Sequence, residues 1–463
     1  MRVPAEVPPG KVQITIDFSS WPALTNPIAT GEVTIRTLPV VPVEEAVSPR
    51  FLKSLQHPDR SSSFSLIHFS SDGKRLCAGG YPGGNVVVYD VASSSRLTQI
   101  DAGKCRVSGN FLKVLPDEQS MLTFKQRQDK IEFFDKDKQP MGRLVGSPGI
   151  KRWNLKTGEL VWTDSRTNPG GLLNLSLSPT SNVFVIEEYA SGDFVRGTRI
   201  QRRTLFGDAN TGKLQLLPSG LSGYGLFSTD GKAFVTFNQS EEDYVCAIKV
   251  LDGERFQEIA SWPIDESHCY CEILKVTPKH QVIYKLTSLP SKRDIKQLTS
   301  RLMMLDYSLP NSPPQVLIPN STHCFNFLFS RDMSKLLFVS KNESQYELKQ
   351  LELMNSANVR STTLPSASDR FYGTSCALSH QGKYLALAQW AEIPKELLSE
   401  DEIKPEQIGQ PRIILIEVAT GKVVDTLVSP HAFLGGFAFS PDDKTLASSG
   451  RGCIHLWDIS HLK

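Results

Sequence analysis

Short runs of alternating apolar and polar residues recur along most of the chain, and a tight polar turn separates the two runs of each pair. The segment GGFAFSPDDKTLASSG (435–450) matches LIHFSSDGKRLCAGG (66–80) almost position for position. Alternation with a period of two predicts β-strands, and the Ser, Asp and Lys between the runs predict a hairpin turn. Each segment is therefore predicted to form two antiparallel strands.

The same hairpin pattern occurs eight times, at a mean spacing of about 53 residues. The position of the turn aspartate is occupied in chain order by Asp72, Glu118, Thr180, Asp230, Lys279, Asp332, Gln381 and Asp442. A third apolar run follows each hairpin and ends on an acidic or amide residue, at Asp90, Asn154, Asp208, Asp252, Asp306, Glu352, Glu417 and Asp458. A fourth run follows turns such as NLKTGE, DANTGK and EVATGK. Each copy is thus predicted to be a four-stranded antiparallel meander, with strands a to d in chain order.

A four-stranded meander cannot bury its apolar faces alone, so neighbouring copies must share a core. Radial packing of such units leaves short, protected edges, and this arrangement is the β-propeller. We therefore predict an all-β propeller of four-stranded antiparallel blades. Eight blades are the first choice, and seven are the alternative, because 131–144 and 150–162 both have the pattern of the second hairpin of copy two.

The last copy has three predicted strands and no fourth run after them. The segment FLKSLQ (51–56) directly precedes the first copy and is predicted to supply the missing strand d. Pairing of the N- and C-terminal strands then closes the ring and removes its open edges. Residues 49–463 are predicted to be the propeller, and the Pro-rich residues 1–48 an arm or a small β module.

FSPDDKTLASSG followed by IHLWD resembles the WD-repeat β-propeller family, and the likeness covers residues 49–463 with divergent repeats. Trp457 and Trp153 occupy the Trp position of that family, and other aromatic residues replace it at Tyr89, Phe134 and Phe206. In that family a His, a strand-b hydroxyl, an Asp and the Trp form a buried hydrogen-bond network. The resemblance implies that His431, Ser448 or Ser449, and Trp457 take these roles in the last copy, where the Asp is missing. It also implies an interaction scaffold.

Charge and composition limit the classes of partner. The chain has 51 Lys and Arg residues against 49 Asp and Glu residues, so no net field favours nucleic acid or an anionic membrane. No segment has the apolar length of a membrane span, and the N-terminal residues lack the apolar core of a secretory signal. We expect a monomeric cytoplasmic protein that binds protein partners, with its eight cysteines reduced.

Candidate chemistry is sparse, and we predict no catalytic residue, no cofactor and no metal. The sequence contains no P-loop, no G-x-S-x-G and no H-E-x-x-H. HCYC (268–271) lacks the second ligand pair of a structural zinc site. The alternative function is a quinoprotein-like oxidoreductase, because WNLKTGELVW resembles the repeat of pyrroloquinoline-quinone dehydrogenases, although its closing Trp occurs once, at Trp162. Apolar residues of the strands a predict a packed, inert centre, at Leu173, Leu175, Phe325, Phe327 and Phe437.

The connections from strand b to strand c are the candidate binding segments. Three of them are long, at 187–203, 287–301 and 389–412, and in WD-like blades they leave the ring at the same face. The first two are basic and the third is acidic, which predicts a mixed-charge face for protein partners. Its candidate residues are Trp390, Glu396, Leu397, Leu398, Glu400, Asp401, Arg199, Arg202, Arg203, Lys292 and Arg293. The alternative is that these are solvated loops without a partner.

Overall fold

The computed structural model describes twenty ranges of the chain, and every regular element in them is a β-strand. The ranges are 10–17, 28–35, 48–57, 63–81, 85–102, 112–125, 149–164, 171–189, 202–217, 225–239, 246–264, 269–288, 299–309, 312–342, 345–353, 359–364, 370–390, 411–429, 435–450 and 452–462. The chain divides into two compact units, Met1–Ser48 and Pro49–Lys463. In the first unit, β1 (Gly10–Asp17) pairs antiparallel with β2 (Ile28–Ile35).

The second unit contains eight four-stranded antiparallel sheets, which confirms the predicted eight-blade propeller over the seven-blade alternative. Blade 1 consists of β4 (Ser63–Phe69), β5 (Arg75–Tyr81), β6 (Asn85–Asp90) and β7 (Arg96–Asp101). Blade 2 consists of β8 (Leu112–Val114), β9 (Ser120–Lys125), β10 (Gly149–Asn154) and β11 (Leu160–Thr163). Blade 3 consists of β12 (Gly171–Leu177), β13 (Val183–Tyr189), β14 (Arg202–Asp208) and β15 (Leu214–Leu216).

The next three blades repeat this order. Blade 4 consists of β16 (Gly225–Phe227), β17 (Ala233–Gln239), β18 (Cys246–Asp252) and β19 (Glu258–Ile264). Blade 5 consists of β20 (Cys269–Val276), β21 (Gln281–Ser288), β22 (Thr299–Asp306) and β23 (Gln315–Ile318). Blade 6 consists of β24 (Cys324–Phe329), β25 (Lys335–Asn342), β26 (Gln345–Glu352) and β27 (Val359–Thr363).

The last two blades differ in how they end. Blade 7 consists of β28 (Arg370–Leu378), β29 (Tyr384–Trp390), β30 (Arg412–Glu417) and β31 (Val423–Val428). Blade 8 consists of β32 (Phe437–Phe439), β33 (Thr445–Ser449), β34 (Cys453–Asp458) and, as its strand d, the N-terminal β3 (Phe51–Gln56). The pairing of β3 with β34 confirms the predicted closure of the ring by the two chain ends.

The strand β3 also contacts blade 1 as the strand d of a preceding blade does elsewhere in the ring. The Lys53 ammonium donates to the carbonyl of Val91 at 2.6 Å, in the turn between strands c and d of blade 1. In the same way Thr98, on strand d of blade 1, donates through its hydroxyl to the Lys156 carbonyl of blade 2 at 2.9 Å. The closure therefore reproduces a contact between ordinary neighbouring blades.

The middle strands b and c are more buried than strand d in each blade. In β6 and β30 the four central residues are all buried, whereas the strand d of blade 2, β11, is largely exposed. This burial arises because neighbouring blades cover both faces of each middle strand: Val88 of blade 1, Trp153 of blade 2 and Phe184 of blade 3 share one apolar core. Continuous apolar runs, rather than strict alternation, are expected for strands covered on both sides.

Two details of blade 2 are resolved. The hairpin at 150–162 supplies strands c and d, so it is the blade hairpin, while 131–144 lies outside the described residues. The assignment of Glu118 to the aspartate position is wrong by one residue. Asp117 accepts hydrogen bonds from the backbone N–H groups of Gln119 at 2.8 Å and Ser120 at 3.0 Å, and thus takes that role. Glu118 has a φ of 52° and occupies the left-handed position that Gly73 fills in blade 1.

The acidic or amide residue singled out in each copy is the last residue of strand c in all eight blades. Its side chain or carbonyl organises the turn that follows: Asn154 Oδ1 accepts from the N–H of Lys156 at 2.8 Å, and its carbonyl accepts from Gly158 N–H at 2.8 Å. Gly158, Gly212 and Gly421 have φ values of 77°, 71° and 72°. The Thr-Gly turns therefore supply the left-handed residue that this hairpin requires.

Candidate functional site

The two ends of the propeller differ in the length of their connections. At one end the turns between strands a and b are uniformly short, as from Phe227 to Ala233 in blade 4. At the other end the connections between strands b and c vary widely, from Asn342–Gln345 in blade 6 to Lys125–Gly149 in blade 2. Because consecutive strands are antiparallel, the b-to-c connections all leave their blades at this second end, which we call the variable end.

Three of the predicted binding residues lie in strands at the variable end. Trp390 is the last residue of β29 and pairs with Arg370, while Arg202 and Arg203 begin β14, where they pair with Tyr189 and Glu188. The other predicted residues lie outside the described residues: Arg199, Lys292, Arg293, Glu396, Leu397, Leu398, Glu400 and Asp401. The structure thus assigns the three long connections to the b-to-c position of blades 3, 5 and 7, as expected.

A fourth long connection at this end was not among the candidates. It runs from Lys125 at the end of β9 to Gly149 at the start of β10, in blade 2. The signal that could have found it was the doubled hairpin pattern of copy two. Once 150–162 is assigned to strands c and d, residues 126–148 must form the b-to-c connection.

The short-turn end is held together by carboxylates that reach from one blade to the one before. Asp443 of blade 8 accepts hydrogen bonds from the N–H groups of His380 at 2.7 Å and Gln381 at 2.9 Å in blade 7. Glu118 of blade 2 accepts from the N–H of Ser71 in blade 1 at 2.8 Å. Both carboxylates belong to residues in the left-handed conformation, with φ values of 55° and 52°. Polar groups at this end therefore form hydrogen bonds between neighbouring blades.

The motif that suggested a quinoprotein has a packing role. The Trp162 indole N–H donates to the carbonyl of Ala209 in blade 3 at 2.8 Å. Its ring covers Gly212 so closely that a Cβ atom there would lie 2.9 Å from it. Thr98 and Thr362 lie in the same way against Gly158 and Gly421 of the following blades. The glycine of each Thr-Gly turn therefore provides both the turn and a site for the strand d of the preceding blade.

The two Trp-position residues make the hydroxyl contact that the WD resemblance implies. The Trp457 indole N–H donates to Ser448 Oγ at 2.8 Å, and that of Trp153 donates to Thr123 Oγ1 at 2.8 Å. Ser448, rather than Ser449, is thus the partner of Trp457. His431 lies outside the described residues.

A buried histidine, His455, lies beside this pair on the same strand. Its Nδ1 is 2.9 Å from Ser54 Oγ of the closing strand, and its Nε2 is 3.5 Å from the Cys453 sulfur. The side chain is fully buried, so its hydrogen bonds help to hold β3 on β34. No repeat position indicates this role, because it depends on the pairing of β3 with β34.

The cysteines of the HCYC segment are buried strand residues. Cys269 and Cys271 are 2% and 4% exposed, and His268 lies outside the described residues. Burial raises the pKa of the Cys269 thiol to about 12, and it also raises that of Cys271 well above its ordinary value. Among the described residues, no group of three or more His, Cys, Asp or Glu side chains is arranged to hold a metal ion. Thiols in this state are poor ligands and poor nucleophiles.

The centre of the ring is not uniformly apolar, so the expected apolar packing of the centre is wrong for blades 2 to 5. Their inner strands line a half-open cavity of about 240 Å³. Two lysines, Lys113 of β8 and Lys275 of β20, line it together with the polar side chains of Asn174 and Ser176. Of the five apolar residues predicted from the sequence, Leu175 lines the cavity beside these polar groups.

No helix in the described part of the chain has the length and apolar character that crossing a membrane requires.

The chain matches no protein-family model and no curated protein sequence. Among solved structures it is similar to the β-propeller domain of Myceliophteria thermophila Cps50 (Swd1), with 11% identity over 88% of this chain and 99% of that domain, at a TM-score of 0.46. It is also similar to a eukaryotic initiation factor, with 15% identity over 97% of this chain and 94% of that chain, at a TM-score of 0.49. The strand pairings of this chain establish its propeller fold independently.

Proposed function

We propose that this chain is a divergent WD-type propeller that acts as a non-enzymatic interaction scaffold, with protein partners docking at the variable end. The observation that carries the proposal is the concentration of long connections at one end, in blades 2, 3, 5 and 7. The opposite end consists of short turns whose polar groups join neighbouring blades. A rigid scaffold that carries long loops at one end is a common way to present binding residues.

The chemistry of the connections favours a protein partner of mixed charge. Residues 196–203 carry four arginines, and 392–406 carry six acidic residues around Leu397 and Leu398. Connections of opposite charge at the same end select against partners of a single charge sign, while Trp390, Leu397 and Leu398 supply the apolar anchors that interfaces need. The alternative of a quinoprotein-like oxidoreductase loses its main support, because the contacts of Trp162 are explained by packing between blades 2 and 3.

The proposal is tested by replacing residues 392–409 with a short Gly-Ser linker. The connection joins the paired strands β29 and β30, so we expect an unchanged melting temperature. Affinity purification from the native source should then recover fewer partner proteins than the unaltered chain does. The matched control places the same linker at 309–313, in the c-to-d connection of blade 5, at the opposite end. An identical set of captured proteins for both variants and the unaltered chain would contradict docking at the variable end.

A further inference from the structure

One position of the inner strands forms a layer around the axis. It lies two residues before the first turn residue of each a-to-b hairpin, and each of its members pairs with a strand-b residue in the same register. In chain order this axial layer consists of His68, Lys113, Ser176, Leu226, Lys275, Leu328, Ala377 and Ala438. All eight belong to the described part of the chain, and none is acidic. The layer therefore carries two ammonium groups, in blades 2 and 5, and no carboxylate.

Four consecutive members of the axial layer line the cavity of about 240 Å³: Lys113, Ser176, Leu226 and Lys275. They come from the inner strands of blades 2, 3, 4 and 5, so the cavity lies on the axial side of these strands. Asn174 adds a second polar side chain, and Phe227 adds to the apolar wall of Leu226. The cavity thus combines two ammonium groups with neutral polar and apolar surface.

The two lysines are half-buried without compensation. Within the described residues, neither Lys113 nor Lys275 has an ion pair or a side-chain hydrogen bond. Burial lowers the pKa of both ammonium groups, and no acidic neighbour opposes this effect. At His68, by contrast, burial lowers the pKa and the Glu118 carboxylate raises it. An ammonium group removed from water without a partner is costly, and an anion between the two lysines would offset that cost.

We propose that this axial cavity binds a small organic phosphate monoester. A phosphate monoester carries a charge of about −1.5 to −2 at pH 7 and three acceptor oxygens, which match two lysines with Asn174 and Ser176 beside them. The apolar wall of Leu226 and Phe227 suits a short carbon skeleton. At about 240 Å³ the cavity is smaller than the usual small-molecule pocket of about 300–1,000 Å³, so the ligand is smaller than a nucleotide.

The test measures binding of glycerol 3-phosphate by isothermal titration calorimetry, at constant ionic strength set with sodium chloride. We expect 1:1 binding to the full chain, and a loss of affinity of about tenfold or more for Lys113→Met and for Lys275→Met. Lys275→Arg should retain binding because it keeps the charge. The matched control is Lys232→Met in the a-to-b turn of blade 4, whose side chain is 83% exposed, and it should bind as the unaltered chain does.

Two further measurements separate the parts of the proposal. Inorganic phosphate should bind more weakly than glycerol 3-phosphate. Equal affinities would show that the carbon skeleton contributes nothing to binding, and would overturn the proposal that the ligand is organic. In phosphate-free buffer, the double variant Lys113→Met, Lys275→Met should melt at a higher temperature than the unaltered chain, because two uncompensated cations are removed. A lower melting temperature would contradict the unpaired state of the lysines. No binding at millimolar concentration, or equal binding by the Met variants, would overturn the site.

Discussion

At the scale of single residues, the indole groups of Trp457 and Trp153 show how one contact is repeated in distant blades. Each indole N–H donates to a hydroxyl on the adjacent strand b, Ser448 or Thr123, and both distances are 2.8 Å. In both blades the hydroxyl lies two residues beyond the strand-b partner of the Trp. The contact therefore fixes the register of strands b and c as well as filling the space between blades.

We expect Trp457→Ala to lower the free energy of unfolding by about 3–5 kcal/mol, because the ring is fully buried. Trp457→Phe keeps most of the packing and removes the donor to Ser448, so its cost should be about 1–3 kcal/mol. Urea unfolding followed by intrinsic fluorescence and circular dichroism measures both changes. Adding Ser448→Ala to Trp457→Phe should cost little more, because the orphaned hydroxyl is removed; a fully additive cost would contradict the hydrogen bond.

Prediction from the sequence was least complete for the roles of individual residues. Asp117 and Glu118 are adjacent carboxylates, and their distinct roles follow from the φ of 52° at Glu118, which a pattern of residue types does not reveal. Lys113 and Lys275 were missed for a similar reason. Irregular pairing shifts the alternation in β20, between Ile273 and Lys275, so the face to which Lys275 points follows from the register and not from the alternation alone.

At the scale of elements, the turn between strands a and b is a repeated polar unit. In blades 1, 4, 6 and 8 a serine hydroxyl donates to the aspartate two residues later, at 2.5–2.7 Å. In blade 6, Asp332 also accepts from the Ser334 N–H at 3.1 Å and its hydroxyl at 2.9 Å. These hydrogen bonds to the ionised carboxylate lower the pKa of Asp332 to about 2.

This turn should contribute to stability in a pH-dependent way. Since the pKa of Asp332 is lower in the folded chain than its ordinary value of 3.8, the unfolded chain binds more protons in this range. The stabilisation is therefore complete above about pH 4 and is lost as the pH falls towards 2. We expect Asp332→Asn to lower the melting temperature at pH 6, with a difference from the unaltered chain that shrinks progressively towards pH 2.

The control for this measurement is Gln381→Asn, at the equivalent uncharged position of blade 7. Its effect on the melting temperature should be the same at every pH from 6 to 2, because no proton is gained or lost. A difference between Asp332→Asn and the unaltered chain that also stays constant with pH would show that Asp332 acts through shape and not through its charge.

Elements were largely predictable from the sequence, because local periodicity and turn chemistry agree. The third run of every copy ends at the residue where strand c ends, from Asp90 to Asp458. Ser94 and Phe256 show the limit of this reasoning: they occupy the left-handed turn position without being glycine, with φ values of 62° and 54°. Their conformation is imposed by the strand pairing on either side, which overrides the local preference.

At the scale of the whole molecule, ring closure depends on a single six-residue strand. β3 pairs with β34, the Asp458 N–H donates to the Arg50 carbonyl at 2.8 Å, and Leu55 is 1% exposed. The Tyr89 hydroxyl of blade 1 donates to the Gln56 carbonyl at 3.0 Å, so the strand is held from two blades. Without it, β34 would be an open edge.

We expect deletion of residues 49–56, with residues 57–463 retained, to lower the melting temperature. The decrease should be as large as that caused by deletion of residues 453–463. Both changes remove the β3–β34 pairing: deletion of β3 exposes Ile454, the partner of Leu55, and deletion of β34 exposes Leu55. Differential scanning calorimetry measures the shift. The matched control deletes residues 1–48 alone and should melt as the full chain does; a β3 deletion with the same melting temperature as this control would contradict the role of the closure.

The architecture of the whole molecule followed from the eight repeats, whereas its binding face did not. Repetition restricts the residue types at the positions that pack. The ring and its closure could therefore be predicted from the repeated positions, which run from Asp72 to Trp457. The long connections carry no repeated pattern, because nothing in the packing of the blades restricts them. Their place at the b-to-c end could be predicted, and the chemistry that they recognise stays a proposal.

The pairing of β3 with β34 also sets the order of events during synthesis of the protein. Phe51–Gln56 leaves the ribosome early, but its partner Cys453–Asp458 is made roughly 400 residues later. At about 5–20 residues per second, the first strand waits for about 20–80 s before it can pair. Seven blades can assemble in that interval, while the eighth forms after translation of its last strand. A nascent chain stalled before Cys453 therefore keeps an unpaired strand and an open ring, which chaperones and proteases can recognise.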